Sequence, residues 1–278
     1  MDNTEHNKSM DIQFNTPILL LICNRPVETS KVFERIRQLK PKHLFVSQDG
    51  TDKATADVIK IDWHCELHFR QGKRLGCKNG VISGIDWFFA NVPEGIILED
   101  DIIPDSTFFT FCEKLLKRYK DDKRIWHING SNFQNEWIGN GSYYYSEYIH
   151  SWGWATWSDR WKQFTEKFDY SLLPKQFKWL QKYLKQVENG SLDTWDYSWF
   201  YTILANKGTV IAPNVNMCEN IGFNHNATHT KRGSHPKAQS LTDVLSPIYI
   251  ERQADKSEYR KSQIEKWKAT LTSLSSLR

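Results

Sequence analysis

Three acidic residues stand side by side at Glu99-Asp100-Asp101, directly after the apolar run Gly95-Ile96-Ile97-Leu98 and before Ile102. Carboxylates between apolar flanks are costly to bury unless something positive meets them. A hard divalent cation fits, because Mg2+ or Mn2+ takes oxygen ligands and binds through one or two carboxylates plus substrate phosphates. Such a cation would neutralise a diphosphate and stabilise it as a leaving group. The plainer reading makes the triplet an acidic strand end that caps the next helix with its charges in water. A further acid, Asp196, lies between Trp195 and Trp199, where partial desolvation raises a carboxylate pKa and suits a general base. Asp196 or Asp193 also suits the cap of a helix over 197–204. His225 and His229 have i,i+4 spacing beside Gly222 and Asn224, which argue for a loop. Of the pair, His229 is the candidate to complete a metal sphere or donate to a phosphate. Lys73, with Arg74, flanks Gly72 and Gly76 and is a candidate for diphosphate contact.

Aromatic residues form the other chemical signal. The chain has 12 Trp, 11 Tyr and 15 Phe, and seven of the Trp fall between Trp152 and Trp199. Aromatic faces suit the C–H faces of sugars, although burial is their commoner fate. Trp154, Trp157 and Trp161 are spaced as one helical face, which assigns at least two of them to a core. Trp152 and Trp154, beside Gly153, are the candidates to stack on a sugar.

The elements that must position these residues follow from hydrophobic period. Short continuous apolar runs at 18–23 and 95–98 read as strands buried on both faces. Further strands are expected at 43–47, 62–69, 125–128 and 143–148. Helical spacing marks 29–39, 78–89, 106–119 (with Asp105 as N-cap) and 174–187. Strands alternating with helices in the first 120 residues point to βαβ units and a mainly parallel sheet. After about residue 120 the rhythm changes. The parsing is a tail over 1–16, one α/β domain over 17–245 and a C-terminal helical extension over 246–278. Within the domain, 17–120 is the nucleotide-binding half and 121–245 shapes the acceptor site.

Composition narrows the function classes. A length of 278 residues suffices for one large α/β domain. The net charge of +4 is spread along the chain, unlike the concentrated basic face of a nucleic-acid binder. Five cysteines without CxxC spacing argue against a disulfide framework or a cysteine zinc site and point to a reducing compartment. The apolar run 18–23 is too short to span a membrane, and the residues before it do not read as a signal peptide. A cytoplasmic protein is expected, with peripheral contact at the inner face of a membrane left open to the basic segment 252–278.

In this order and spacing, the motifs resemble the GT-A glycosyltransferases, a Rossmann-like fold with a mixed, mainly parallel sheet flanked by helices in a single compact domain. Within them the likeness is to the N-acetylglucosaminyltransferase type that initiates hybrid and complex N-glycans, and to its bacterial relatives. It runs from about Pro17 to His229. Cys23-Asn24-Arg25-Pro26 resembles the family's strand-end segment, which implies that Arg25 lies by the nucleotide phosphates. Val46-Ser47-Gln48-Asp49-Gly50 resembles the segment whose Asp holds the uracil, implying that role for Asp49. Leu98-Glu99-Asp100-Asp101 matches the family's variant of the DxD motif. That match implies a metal ligand at Asp101, a ribose contact at Asp100 and a donor-sugar or ribose contact at Glu99. Gly153-Trp154-Ala155 resembles a segment beside donor and acceptor, and Trp195-Asp196-Tyr197 the one carrying the catalytic Asp of that inverting enzyme. Here a Tyr follows Asp196 where the family has a second acid. Residues 220–229 occupy the place of a loop that closes over the diphosphate.

The resemblance implies a nucleotide-sugar donor, UDP-linked, a glycan or lipid-linked glycan acceptor, and a role in bacterial surface polysaccharide or glycan synthesis. Two other readings compete. A sugar-nucleotide nucleotidyltransferase would carry a Gly-rich basic loop after the first strand, where this chain has Cys-Asn-Arg-Pro-Val-Glu-Thr-Ser. A non-catalytic carbohydrate-binding module accounts for the Trp content but gives no reason for the acidic triplet.

Overall fold

The computed structural model describes residues 13–134, 136–222 and 237–241. In chain order the elements are β1 (Ile18–Ile22), α1 (Pro26–Leu39), β2 (His43–Gln48), α2 (Lys53–Ala56), β3 (Glu66–Gln71), α3 (Cys77–Asn91), β4 (Glu94–Glu99), β5 (Ile102–Pro104) and α4 (Ser106–Tyr119). They continue as β6 (Ile125–Asn129), β7 (Tyr143–Ser146), β8 (Trp154–Trp157), α5 (Ser158–Trp161), α6 (Leu180–Glu188), α7 (Asp196–Ala205), β9 (Thr209–Pro213) and β10 (Cys218–Asn220).

Strand β1 is apolar at every position because both of its faces are covered. Alternation sends Ile18, Leu20 and Ile22 into one core, with Val32 and Ile36 of α1 and Phe108 and Cys112 of α4. It sends Leu19 and Leu21 into a second core, with Ile85 and Phe88 of α3 and the aromatic residues of α7. The sheet order is β3-β2-β1-β4-β8-β6-β9-β7, with β5 and β10 as a separate ribbon. Strands β3, β2, β1 and β4 pair in parallel, as do β6 and β9, whereas β8 and β7 run against their neighbours. This is the mixed, mainly parallel, Rossmann-like α/β architecture expected from the sequence, with helices on both faces of the sheet.

Local chemistry sets the helix ends. Asp105 caps α4 by accepting from Thr107 N at 2.9 Å, and Lys117 and Arg118 sit in its last turn, where cations suit the helix dipole. Pro26 opens α1 from within its first turn, three residues earlier than the hydrophobic spacing alone indicates. Two expectations are corrected. The helix expected over 174–187 begins as a 3-10 turn at Lys175–Phe177, and α6 starts only at Leu180. The Trp segment is a strand followed by a short helix, not one helical face. On β8, Trp154 and Trp157 are three residues apart and therefore point into opposite cores. All three of Trp154, Trp157 and Trp161 are nonetheless buried.

The last residues of the expected N-terminal tail are packed. Gln13 Nε2 donates to the carbonyls of Lys40 and His64, Phe14 packs edge-on against Phe109, and Thr16 is buried. Residues 1–12 and the expected extension over 246–278 lie outside the described residues. No helix among the described residues is long and apolar enough to cross a membrane.

Candidate functional site

The connections around β1 open a crevice. From β1 the chain passes through α1 to β2 on one side, and later through α3 to β4 on the other. Because α1 and α3 cover opposite faces, the carboxyl ends of β1 and β4 part at a topological switch point, where open α/β sheets bind ligands. A cavity of about 360 Å³ lies there. Cys23 and Arg25 line it from the end of β1, Asp49 from the end of β2, and Glu99, Asp100 and Asp101 from the end of β4. Residues of α6, the start of α7 and Trp152 also line it, and Asn220 lies beside the triplet, paired with Ile102.

The positive partner that the acidic triplet demands is Arg25, at the N-cap position of α1. Its guanidinium pairs with Asp100 and donates to Asp101 Oδ2 at 2.8 Å, while Cys23 N donates to Asp100 Oδ2 at 3.3 Å. One guanidinium does not balance three carboxylates. Burial, then the charges of Asp101 and Asp100, push Glu99 up to about 8. Burial pushes Asp100 up to about 6 even with Arg25 pulling the other way. Burial would lower the Arg25 pKa, but Asp100 and Asp101 outweigh it and hold the guanidinium charged.

This donor set fits a hard divalent cation that shares its shell with phosphates. The described residues hold no group of three His, Cys, Asp or Glu able to cage a metal by themselves. A Mg2+ or Mn2+ ion completed by a substrate diphosphate needs only one or two carboxylates, and Asp101 at the cavity is placed to supply one. The cluster also has unbalanced negative charge for such an ion to neutralise. His225 and His229 lie outside the described residues, so the expected second ligand is not located. The chain leading to them passes the cluster closely. Ile221 N donates to the Asp101 carbonyl at 2.9 Å, and a Cβ on Gly222 would stand 2.0 Å from Asp101 Oδ2.

Asp49 reaches the cavity, but its carboxylate is already engaged. Oδ1 accepts from Leu75 N at 2.6 Å and Oδ2 from Gly76 N at 3.1 Å, which fixes the loop before α3. Gly76, at φ +88, brings no side chain to cap α3. Asp193 does so from more than a hundred residues away, accepting from Cys77 N and Lys78 N, both at 3.1 Å. Asp193 therefore caps α3 and not the helix that follows it. Asp196 is the first residue of α7, whose N-cap position is held by Trp195 without a side-chain cap bond. It lines the cavity from the first turn of α7, and its Oδ1 accepts from Thr194 Oγ1 at 2.6 Å and from Tyr197 N at 3.0 Å.

Two expected contacts are corrected. Trp154 is fully buried and stacks between His127, at 4.8 Å, and Trp195, at 5.4 Å. It supports the wall from behind, and the half-buried Trp152 is the one that lines the cavity. Lys73 is exposed and does not line the cavity, whereas its neighbour Arg74 does. Sequence reading missed Tyr183 and Gln186, which line the cavity three residues apart on α6. Their signal is faint: a tyrosine and a glutamine at i,i+3 on an amphipathic helix, with Tyr183 stacked on Tyr197 at 5.0 Å.

No family model matches the chain, and no curated protein matches it in sequence. Solved structures that it resembles include the UTP-bound UGPase from Acinetobacter baumannii, at 8% identity and a TM-score of 0.41, covering 74% of this chain and 88% of that one. Another is the apo form of mouse xyloside xylosyltransferase 1, at 10% identity and a TM-score of 0.38, covering 68% of this chain and 81% of that one. At these values the likeness carries no argument about the chemistry of the chain.

Proposed function

We propose that the chain is a metal-dependent glycosyltransferase of the GT-A kind, moving a sugar from a nucleotide-diphosphate donor, UDP-linked, to a hydroxyl of a glycan acceptor. The observation that carries this reading is the undercompensated acidic triplet at the β1/β4 switch crevice, three carboxylates against the single guanidinium of Arg25. A carbohydrate-binding module has no need of such a cluster, because neutral sugars do not require a concentration of negative charge.

Arg25 and Arg74, on the β1–β2 side of the cavity, would bind the diphosphate. A divalent cation held at Asp101 would stabilise the departing nucleoside diphosphate. Asp196, at the start of α7, would accept the proton of the acceptor hydroxyl as its oxygen bonds to the anomeric carbon and the bond to the diphosphate breaks, with inversion. The helix start that holds Asp196 also fixes its direction, since Thr194 Oγ1 and Tyr197 N both donate to the same oxygen, Oδ1. Trp152 offers a face for the C–H surface of a sugar.

The test is Mn2+-dependent release of nucleoside diphosphate from nucleotide sugars, with and without glycan acceptors. In Asp196→Asn, transfer should fall by roughly 10²–10⁴-fold with donor affinity retained. Near-normal transfer by that variant would remove Asp196 as the base. Tight glycan binding with no turnover of any donor would favour the module.

A further inference from the structure

We infer that the chain docks on anionic lipid surfaces through a stripe of four lysines along α6 and the turn before it, beside the cavity. The inference goes beyond the transferase reading and does not depend on it.

Between Asp169 and Glu188 the chain has four lysines and no acidic residue. Lys175, Lys178, Lys182 and Lys185 follow one another at three- and four-residue spacing, which lines them up along one side of a helix. All four are exposed. The side of α6 that carries Leu180, Leu184 and Val187 is buried in the second core. Surface charge elsewhere is mixed in sign. Helix α1 carries Glu28, Lys31, Glu34 and Arg35, and Lys78 and Lys123 pair with Glu166 and Asp159. No described carboxylate forms an ion pair with a lysine of the stripe. The acids that bound the segment are turned to other partners: Asp169 accepts from Ser171 N at 2.9 Å, and Glu188 accepts from the Tyr170 hydroxyl.

Apolar surface beside the stripe favours a bilayer over other polyanions. Leu172 is 51% exposed in the 3-10 turn at Tyr170–Leu172. Tyr170 ties that turn to α6, through its bond to Glu188 and through Lys185 Nζ, which stands 5.9 Å from the centre of its ring. An exposed leucine is thus held near a row of uncompensated cations. Surface helices bind anionic bilayers with this combination, cations at the headgroups and an apolar side chain at the acyl boundary. The phosphates of a nucleic acid would use the lysines and leave Leu172 without a role. Lys182 and Lys185 immediately precede Tyr183 and Gln186, which line the cavity. One residue turns a helix by about 100°, so stripe and cavity lie on neighbouring faces of α6. Docking there holds the cavity close to the headgroups, within reach of a glycan carried on a lipid.

The experiment is co-sedimentation of the full chain with vesicles of phosphatidylcholine alone or mixed with phosphatidylglycerol. Binding should require the anionic lipid and be lost in 1 M salt. Lys175→Gln, Lys178→Gln, Lys182→Gln and Lys185→Gln combined should weaken it by at least about tenfold. The same change at Lys60, Lys114, Lys117 and Lys120, which are also exposed, should weaken it by less than about threefold. Leu172→Ser should weaken vesicle binding by about threefold and leave retention on heparin unchanged. All variants keep the basic segment 252–278, so the comparison reads the stripe alone, and thermal unfolding checks that each is folded. Absence of binding to anionic vesicles, equal weakening by the two fourfold variants, or undiminished binding by the stripe variant would overturn the inference. Binding to a DNA duplex with none to vesicles would assign the stripe to another polyanion and overturn it as well. None of these outcomes bears on the nucleotide-sugar reading, which donor titrations test separately.

Discussion

The guanidinium of Arg160 is buried near the amino end of β4, where Nη2 donates to the carbonyls of Tyr119, Lys120 and Asp122 and Nε to that of Ile125, at 3.0–3.2 Å. Nη1 meets the Asp159 carboxylate at 2.7 Å, and the group lies 4.4 Å over the Trp157 ring. At the carboxyl end of the same strand, Glu99, Asp100 and Asp101 share one guanidinium, and burial holds Glu99 and Asp100 well above the usual carboxylate range. Both places take charge out of water. At Arg160 the fold surrounds the charge with acceptors from the turn it ties together, and the result is a structural clasp. At the triplet the fold concentrates like charge, undercompensates it and opens a cavity beside it. Natural proteins depart from full electrostatic satisfaction chiefly at functional sites, and this pair shows the two cases within one sheet.

The contrast is tested most severely at Arg160. Arg160→Met removes the donor from four carbonyls and should cost about 3–5 kcal/mol in denaturant unfolding, with nucleotide affinity of the folded protein unchanged. A loss below about 1 kcal/mol would place Arg160 and the triplet in the same class. Asp101→Asn should behave in the opposite manner. Arg25 keeps Asp100 as a partner, so unfolding should change by less than about 1 kcal/mol, while metal-dependent nucleotide affinity falls by about 100-fold or more. Marked destabilisation with affinity intact would make the triplet structural.

The smallest expected effect is a pH slope. The folded-state pKa values of Glu99 and Asp100 lie above their ordinary values, so the folded protein binds more protons than the unfolded chain through the interval from about 4 to about 8. Stability of the metal-free protein therefore falls as pH rises through that interval, on the order of 1 kcal/mol once water in the cavity screens the cluster. Thermal unfolding from pH 5 to 8 checks it, and Glu99→Gln should flatten the upper part of the curve. An unchanged slope in that variant would assign it to other groups.

How much of this is legible in the sequence depends on the range of the interactions involved. Helix α4 is legible at both ends because the Asp105 cap and its apolar spacing are local. Strands β1 and β4 are legible because burial on both faces demands unbroken apolar runs, and the carboxylates at 99–101 stand out against such a run. The Trp segment misleads because three-residue spacing suits one face of a helix and both faces of a strand alike, and only pairing of β8 with β4 and β6 decides between them. The share of the cavity that residues 183–197 supply is not legible. Asp193 reaches Cys77 N across more than a hundred residues, and Tyr183 and Gln186 join the cavity through the docking of α6 on α7, which no local pattern encodes. The exchange of Lys73 for Arg74 has the same origin, since neighbouring loop residues point to different places and composition alone does not say where.

The most direct test of the central claim is titration of nucleotide sugars into the wild-type chain and Asp101→Asn, each with Mn2+ and with a chelator, alongside thermal unfolding of both proteins. The predicted result is binding of at least one nucleotide sugar that requires the metal, is lost in Asp101→Asn and is accompanied by no loss of thermal stability in that variant. Binding that ignores both the metal and the substitution, or no binding of any nucleotide sugar by the wild-type chain, would contradict it.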